Sequence, residues 1–117
     1  MQIDHNQMWE TYVSAWKSGS VDRVRRLLEA SLAQGCSYQD PLVKVSGLDD
    51  LMTYMSNFHQ QVAGGHFVTR RFRFHHGQSV AQWDMLDGDG KVIGDGVSVG
   101  NYNEAGRLVT ITGFFDI

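Results

Sequence analysis

The sequence predicts an α+β chain in which three N-terminal helices pack on a strongly curved, mainly antiparallel sheet. Three observations predict it. Apolar residues recur at spacings of three and four up to Val62, the period of helices with one buried face. From His66 onward, strand-forming residues alternate with a period of two. The runs in that second half are separated by short, glycine-bearing links of the kind that close hairpins. Helices first and strands second exclude the alternating order that builds a parallel sheet.

The elements follow in order. Asp4 is the expected N-cap of a first helix whose face is Met8, Trp9, Tyr12, Val13 and Trp16, and Gly19 stops it. Ser20 or Asp22 opens a second helix that buries Val21, Val24, Leu27, Leu28 and Leu32, with Gly35 as its end. Cys36-Ser37-Tyr38 reads as a short strand closed by Asp40-Pro41, because a residue before proline is pushed toward extended backbone. Gly47 leads into a third helix with the stripe Leu48, Leu51, Met52, Met55, Phe58 and Val62, which Gly64-Gly65 break. Four strands then run over 67–76, 79–86, 91–102 and 107–115, turned by Gly77-Gln78, by Asp87-Gly88-Asp89-Gly90 and by Asn103-Glu104-Ala105-Gly106. In the third of these, Gly94, Gly96, Ser98 and Gly100 leave one face almost without side chains. That strip marks either a cavity or a bend into which a neighbouring chain segment packs.

Composition bounds the function. At 117 residues the length fits one domain spanning 1–117, and 42% apolar residues supply a real core. A net charge of -3 gives no general attraction to nucleic acid or an anionic membrane, so neither is expected as a partner. The arginines at 23, 25, 26, 70, 71 and 73 read as solvated faces or ion-pair partners. Cys36 is the single cysteine and reads as a buried structural thiol. The first residues lack the cationic and apolar segments of a signal peptide, and no apolar run approaches a membrane span. A cytoplasmic location is the expectation.

The chemistry-bearing residues are few. The histidines at 5, 59, 66, 75 and 76 match no compact ligand spacing, and neighbours on a strand point to opposite faces, so no metal is expected. Asp87-Gly88-Asp89-Gly90 opens like a calcium loop but has Ser98 where the bidentate glutamate belongs, and reads as a hairpin turn. Gly94-Asp95-Gly96 precedes a strand rather than a helix, which rejects a dinucleotide loop. Asp40 has two readings: a turn carboxylate, or a general base held by a stiff turn at the mouth of a cavity. Tyr12 lies within an apolar helix face, where its hydroxyl needs a structural or ligand partner.

Beyond these residues, the order of elements resembles the cone-shaped fold of the nuclear transport factor 2-like superfamily. Tyr12-Val13-Ser14-Ala15-Trp16 before Gly19, and Tyr38-Gln39-Asp40-Pro41, are similar to segments of its SnoaL-like polyketide cyclase and ketosteroid isomerase-like members. Gly47, the run Asn103 to Arg107 and the ending Thr112-Gly113-Phe114-Phe115 fit the same pattern. In ketosteroid isomerases, which set a carboxylate base beside an oxyanion hole, a phenol and a protonated carboxylic acid hold the enolate oxygen. The resemblance implies Asp40 as base and Tyr12 as donor, with Ser98 standing where the acid belongs. It implies a cone lined by Trp9, Trp16, Met55 and Phe58 that takes a small apolar carbonyl compound without cofactor or metal. It also implies a homodimer through the sheet. The alternative is a non-catalytic ligand-binding or dimerisation module, its cone filled by Trp16, Trp83 and Phe114. An epoxide hydrolase-like variant would draw on Arg70 with Asp84.

Overall fold

A helix begins where a side chain can satisfy its first free amides, and both early caps do so. The computed structural model describes residues 2–17 and 19–117. Asp4 Oδ1 accepts from the Gln7 amide at 3.0 Å and opens α1, His5–Ser14. Ser20 Oγ accepts from the Arg23 amide at 3.1 Å and opens α2, Val21–Ser31. Past Ser14 the chain tightens, with the Trp16 amide donating to the Val13 carbonyl at 3.0 Å. The Trp16 ring is therefore placed by a turn rather than by the helix itself. Gly47, at φ +86°, turns the chain into α3, Leu48–Gln61.

The sheet has six strands: β1 Leu32–Gln39, β2 Lys44–Ser46, β3 His66–His75, β4 Gln78–Leu86, β5 Val92–Tyr102 and β6 Leu108–Phe114. Their order is β2-β1-β6-β5-β4-β3, antiparallel throughout except that β1 runs parallel to β6. Two expectations are corrected. The second helix ends at Ser31 rather than at Gly35, and Leu32 is already a strand residue paired with Leu108. Gly35, at φ +75°, lies in an irregularity of β1 where the register with β6 shifts between Leu32 and Ser37. The short strand β2 was not expected; Val45 pairs with Tyr38, so the chain turns back on itself directly after Asp40-Pro41.

The helices cover the concave face. Trp9, Leu28, Leu51, Met55, Leu108 and Ile111 form the most buried part of the core between helices and sheet. The glycine strip of β5 is filled at two of its positions. A Cβ on Gly96 would lie 2.4 Å from the Trp83 ring and 2.6 Å from the Phe114 carbonyl, and one on Gly100 would lie 2.7 Å from Leu108. Neighbouring atoms occupy the strip at Gly96 and Gly100, whereas Gly94 and Ser98 border a pocket, so each of the two readings the sequence allowed holds for part of it. The hairpin turns behave as expected: Asp87 Oδ1 accepts from the amides of Asp89 and Lys91 at 2.9 Å each. Cys36 is buried beside the core, and burial pushes its thiol up to about 11. No helix is long and apolar enough to cross a membrane.

Candidate functional site

Between the helices and the concave sheet lies a pocket of about 450 Å³. That volume is in the range of small-molecule sites. Its aromatic wall is centred on Trp16, whose ring lies 5.3–5.9 Å from those of Tyr38, Tyr54, Phe58 and Phe67. Trp9, Tyr12, Phe58 and Trp83 also line it. Met55, expected on this wall, is instead packed in the core, 1% exposed, and does not line the pocket although Phe58, one turn along the same face of α3, does. Phe114, expected inside the cone under the filled reading, is 54% exposed on the other side of the sheet. Strand alternation explains that: Phe114 follows Gly113, whose partner Ser98 faces inward.

Asp40 reaches the same pocket, held by four donors. Its Oδ1 accepts from the backbone amides of Leu42 at 2.8 Å and Val43 at 3.2 Å, so it caps the turn that Pro41 begins. Its Oδ2 accepts from the hydroxyls of Tyr38 at 2.7 Å and Tyr54 at 2.8 Å. A carboxylate offers about four lone-pair sites, and all four are used. The turn reading and the pocket reading of Asp40 are thus both realised by one side chain.

The other polar groups on the wall show the reverse pattern. Tyr12 is 3% exposed and its oxygen accepts from Trp16 Nε1 at 2.9 Å. Its own proton has no acceptor among the described residues. Ser98 Oγ accepts from Trp83 Nε1 at 3.0 Å and is likewise left with a free proton among the described residues. Trp9 Nε1 is buried with no partner among them. Burial raises the ionisation of Tyr12, Tyr38 and Tyr54 well above the usual phenol range, so all three remain neutral donors.

No protein-family model and no curated protein matches the sequence. Solved structures do. A proposed isomerase of the SnoaL-like family from Agrobacterium tumefaciens strain C58 is 26% identical, with 97% of each chain covered and a TM-score of 0.87. A nuclear transport factor 2-like protein of unknown function from Cytophaga hutchinsonii is 14% identical, covering 99% of this chain and 93% of that one, with a TM-score of 0.73. The chain has the fold of the nuclear transport factor 2-like proteins. An epoxide hydrolase of the LEH-like type from Mycobacterium tuberculosis shares the fold at 15% identity, covering 96% of this chain and 82% of that one, with a TM-score of 0.71.

Within this nuclear transport factor 2-like cone, Arg70 and Asp84 do pair, Nε to Oδ1 at 3.0 Å. They do so away from the pocket, because Asp84 follows the pocket residue Trp83 and alternation turns it outward. The epoxide hydrolase-like variant, for which the sequence offers no motif, therefore has no inward arginine–carboxylate pair from these two residues. His75 and His76 were expected to diverge. His76 sits past the strand end at φ +48°, and the two Nδ1 atoms come to 3.1 Å. Among the described residues no group of three metal-ligating side chains is gathered.

Sequence reading missed Tyr38 and Tyr54, the two phenols on Asp40. Tyr38 stands two residues before Asp40, which puts both on one side of an extended segment. Tyr54 falls three after Leu51 and four before Phe58, inside the stripe of α3. Both signals were present in the spacing. What the spacing lacked was any sign that two distant phenols converge on one carboxylate.

Proposed function

We propose that this chain binds a small, largely apolar molecule carrying an acceptor oxygen, such as a ketone. One observation carries this reading: the pocket wall holds donors at Trp9, Tyr12 and Ser98 that have no acceptor among the described residues, while the Asp40 carboxylate between its phenols is already saturated. Unpaired buried donors are costly, and a ligand oxygen would satisfy them. The aromatic surroundings suit a ring. All three tryptophans of the chain line the pocket, so intrinsic fluorescence reports occupancy. Titration with 2-acetylnaphthalene is expected to quench that fluorescence saturably. No saturable change across soluble aryl ketones would overturn the proposal.

A second reading adds chemistry, and Asp40 on the pocket wall favours it. Asp40 would take a proton from the carbon next to the ligand carbonyl, while Tyr12 and Ser98 donate to the enolate oxygen. For a lone pair to be free, one donor on Oδ2 has to move, and Tyr54 is the less buried of the two phenols. In deuterated water the wild type would then exchange the methyl protons of 2-acetylnaphthalene faster than Asp40→Asn, as read by proton NMR. Equal rates in the two proteins would leave binding alone.

Assembly is a further part of the reading. Val80, Val97, Val99 and Phe114 lie on the outward side of the sheet in adjacent register, with Val80 and Phe114 clearly exposed. A second copy of the chain is the proposed occupant, as in the resemblance noted above. Sedimentation should give a dimer mass for the wild type and a monomer mass for Phe114→Glu; a monomeric wild type discards this part.

A further inference from the structure

We infer that the mouth of this pocket reads charge and that the preferred ligand is an aryl ketone carrying an ammonium group, a claim that rests on the pocket being a ligand site. Exposure separates the two ends of the pocket. Trp9, Tyr12, Trp16, Tyr38 and Ser98 are buried and form its closed end, whereas Asn57, Gln61, Asp95 and Asp116 are exposed and form its mouth. The closed end by itself points to a ligand. Trp9 is 1% exposed, and its Nε1 has no partner among the described residues. A buried donor of that kind calls for an acceptor oxygen. The mouth offers the opposite chemistry, two carboxylates and two carboxamides, all able to accept hydrogen bonds.

Among the described residues no lysine, arginine or histidine lines the pocket at either end. Arg70 is bonded to Asp84, the cross-strand partner of Asp95, which sets Asp95 at the outer edge of the mouth. Asp116 lies past the end of β6, and His59 is hydrogen-bonded to the Trp16 carbonyl. Deeper in, Asp40 is held only by backbone amides and neutral phenols. Those bonds satisfy its lone pairs without cancelling its charge. The charge is felt along the wall: burial first, and the Asp40 carboxylate among the further causes, keeps Tyr12, Tyr38 and Tyr54 protonated. A ligand carboxylate would therefore meet three like charges and no counter-charge. An ammonium at the mouth meets opposite charge and ready acceptors, and keeps part of its hydration. Ketone inward and ammonium outward is the orientation that suits both ends.

The test compares three probes on the wild type at low ionic strength, read by tryptophan fluorescence: 2-acetylnaphthalene, its 6-aminomethyl derivative and its 6-carboxylate derivative. Two unit charges about 10 Å apart at an effective dielectric of about 20 change an affinity by roughly tenfold. The ammonium probe is therefore expected to bind at least about tenfold more tightly than the carboxylate probe. That ratio should shrink as salt is raised, because exposed charges are screened. Equal affinities, or tighter binding of the carboxylate, overturn the inference. No saturable binding of any of the three overturns the ligand site itself, which separates the two failures. A double variant, Asp95→Asn with Asp116→Asn, then locates the effect; both side chains are exposed, so it is expected to fold. Its ratio is expected to fall at least about threefold. An unchanged ratio in that variant overturns the role of the mouth.

Discussion

The two faces of the sheet each carry an aspartate beside the pocket strands, and the two are held very differently. On the concave face, Asp40 accepts four hydrogen bonds, two from backbone amides and two from phenols on separate elements. On the outer face, Asp84 meets one arginine whose side chain is 51% exposed, in a pair that water screens. Asp40 therefore joins β1, the Pro41 turn and α3 into one unit, whereas Asp84 decorates a strand. A carboxylate's weight in this fold follows from how many buried donors depend on it, since each donor left unpaired carries its own desolvation penalty.

The largest expected effect comes from removing the neutrality of the inner wall. All four tyrosines of the chain ionise above the ordinary 10.0, with Tyr102 pushed up to about 12, and Cys36 lies above its ordinary 9.0. The folded state thus holds these protons more tightly than the unfolded chain. Their stabilisation is complete below about pH 9 and is lost as pH rises through the folded values. Tyrosinate absorbance is expected to stay low between about pH 10 and 11 and then to appear together with unfolding; early, independent titration of several tyrosines would break the account of the wall.

Next in size, Asp40→Ala removes the turn cap and orphans Tyr38 and Tyr54, and is expected to cost about 2–4 kcal/mol in urea unfolding. Asp84→Ala, measured alongside, is expected to cost less than about 1 kcal/mol. Similar losses for both would erase the contrast between the faces. Glycines give a second comparison, within the sheet. Gly96→Ala has to displace the Trp83 ring from 2.4 Å and is expected to cost about 1–3 kcal/mol. Gly113→Ala, at a backbone that tolerates alanine, is expected to change stability by less than about 1 kcal/mol in either direction.

Most of the elements were legible because their causes are local. Asp4 and Ser20 cap the residues that follow them, Gly47 turns the chain into α3, and Asp87 closes its own hairpin. The end of α2 was not legible. Val24, Leu28 and Leu32 keep a helical period, but Leu32 is drawn into β1 by pairing with Leu108, which no nearby residue announces. The expected site divides the same way. Trp9, Tyr12, Trp16, Phe58, Asp40 and Ser98 all reach the pocket: helical and strand periods place Trp9, Tyr12, Phe58 and Ser98, and the turns after α1 and β1 place Trp16 and Asp40. Met55 shares that period and still goes elsewhere, because spacing assigns a face but not a depth.

The sequence by itself determined the succession of three helices and a hairpin-linked sheet, the turns, and most of the side chains that face inward, Val21 at 66% exposure being an exception, because each depends on spacing and on residues a few positions away. The tertiary structure decided what those inward groups meet. Asp40 acquired two phenols, one of them from α3, and the space beside Gly96 and Gly100 of β5 was filled by Trp83 and Leu108. The physical reason is that a hydrogen bond or a void is made by neighbours in space. Here those neighbours are brought together by the parallel pairing of β1 with β6 and by the packing of α3 over it, contacts between segments far apart along the chain.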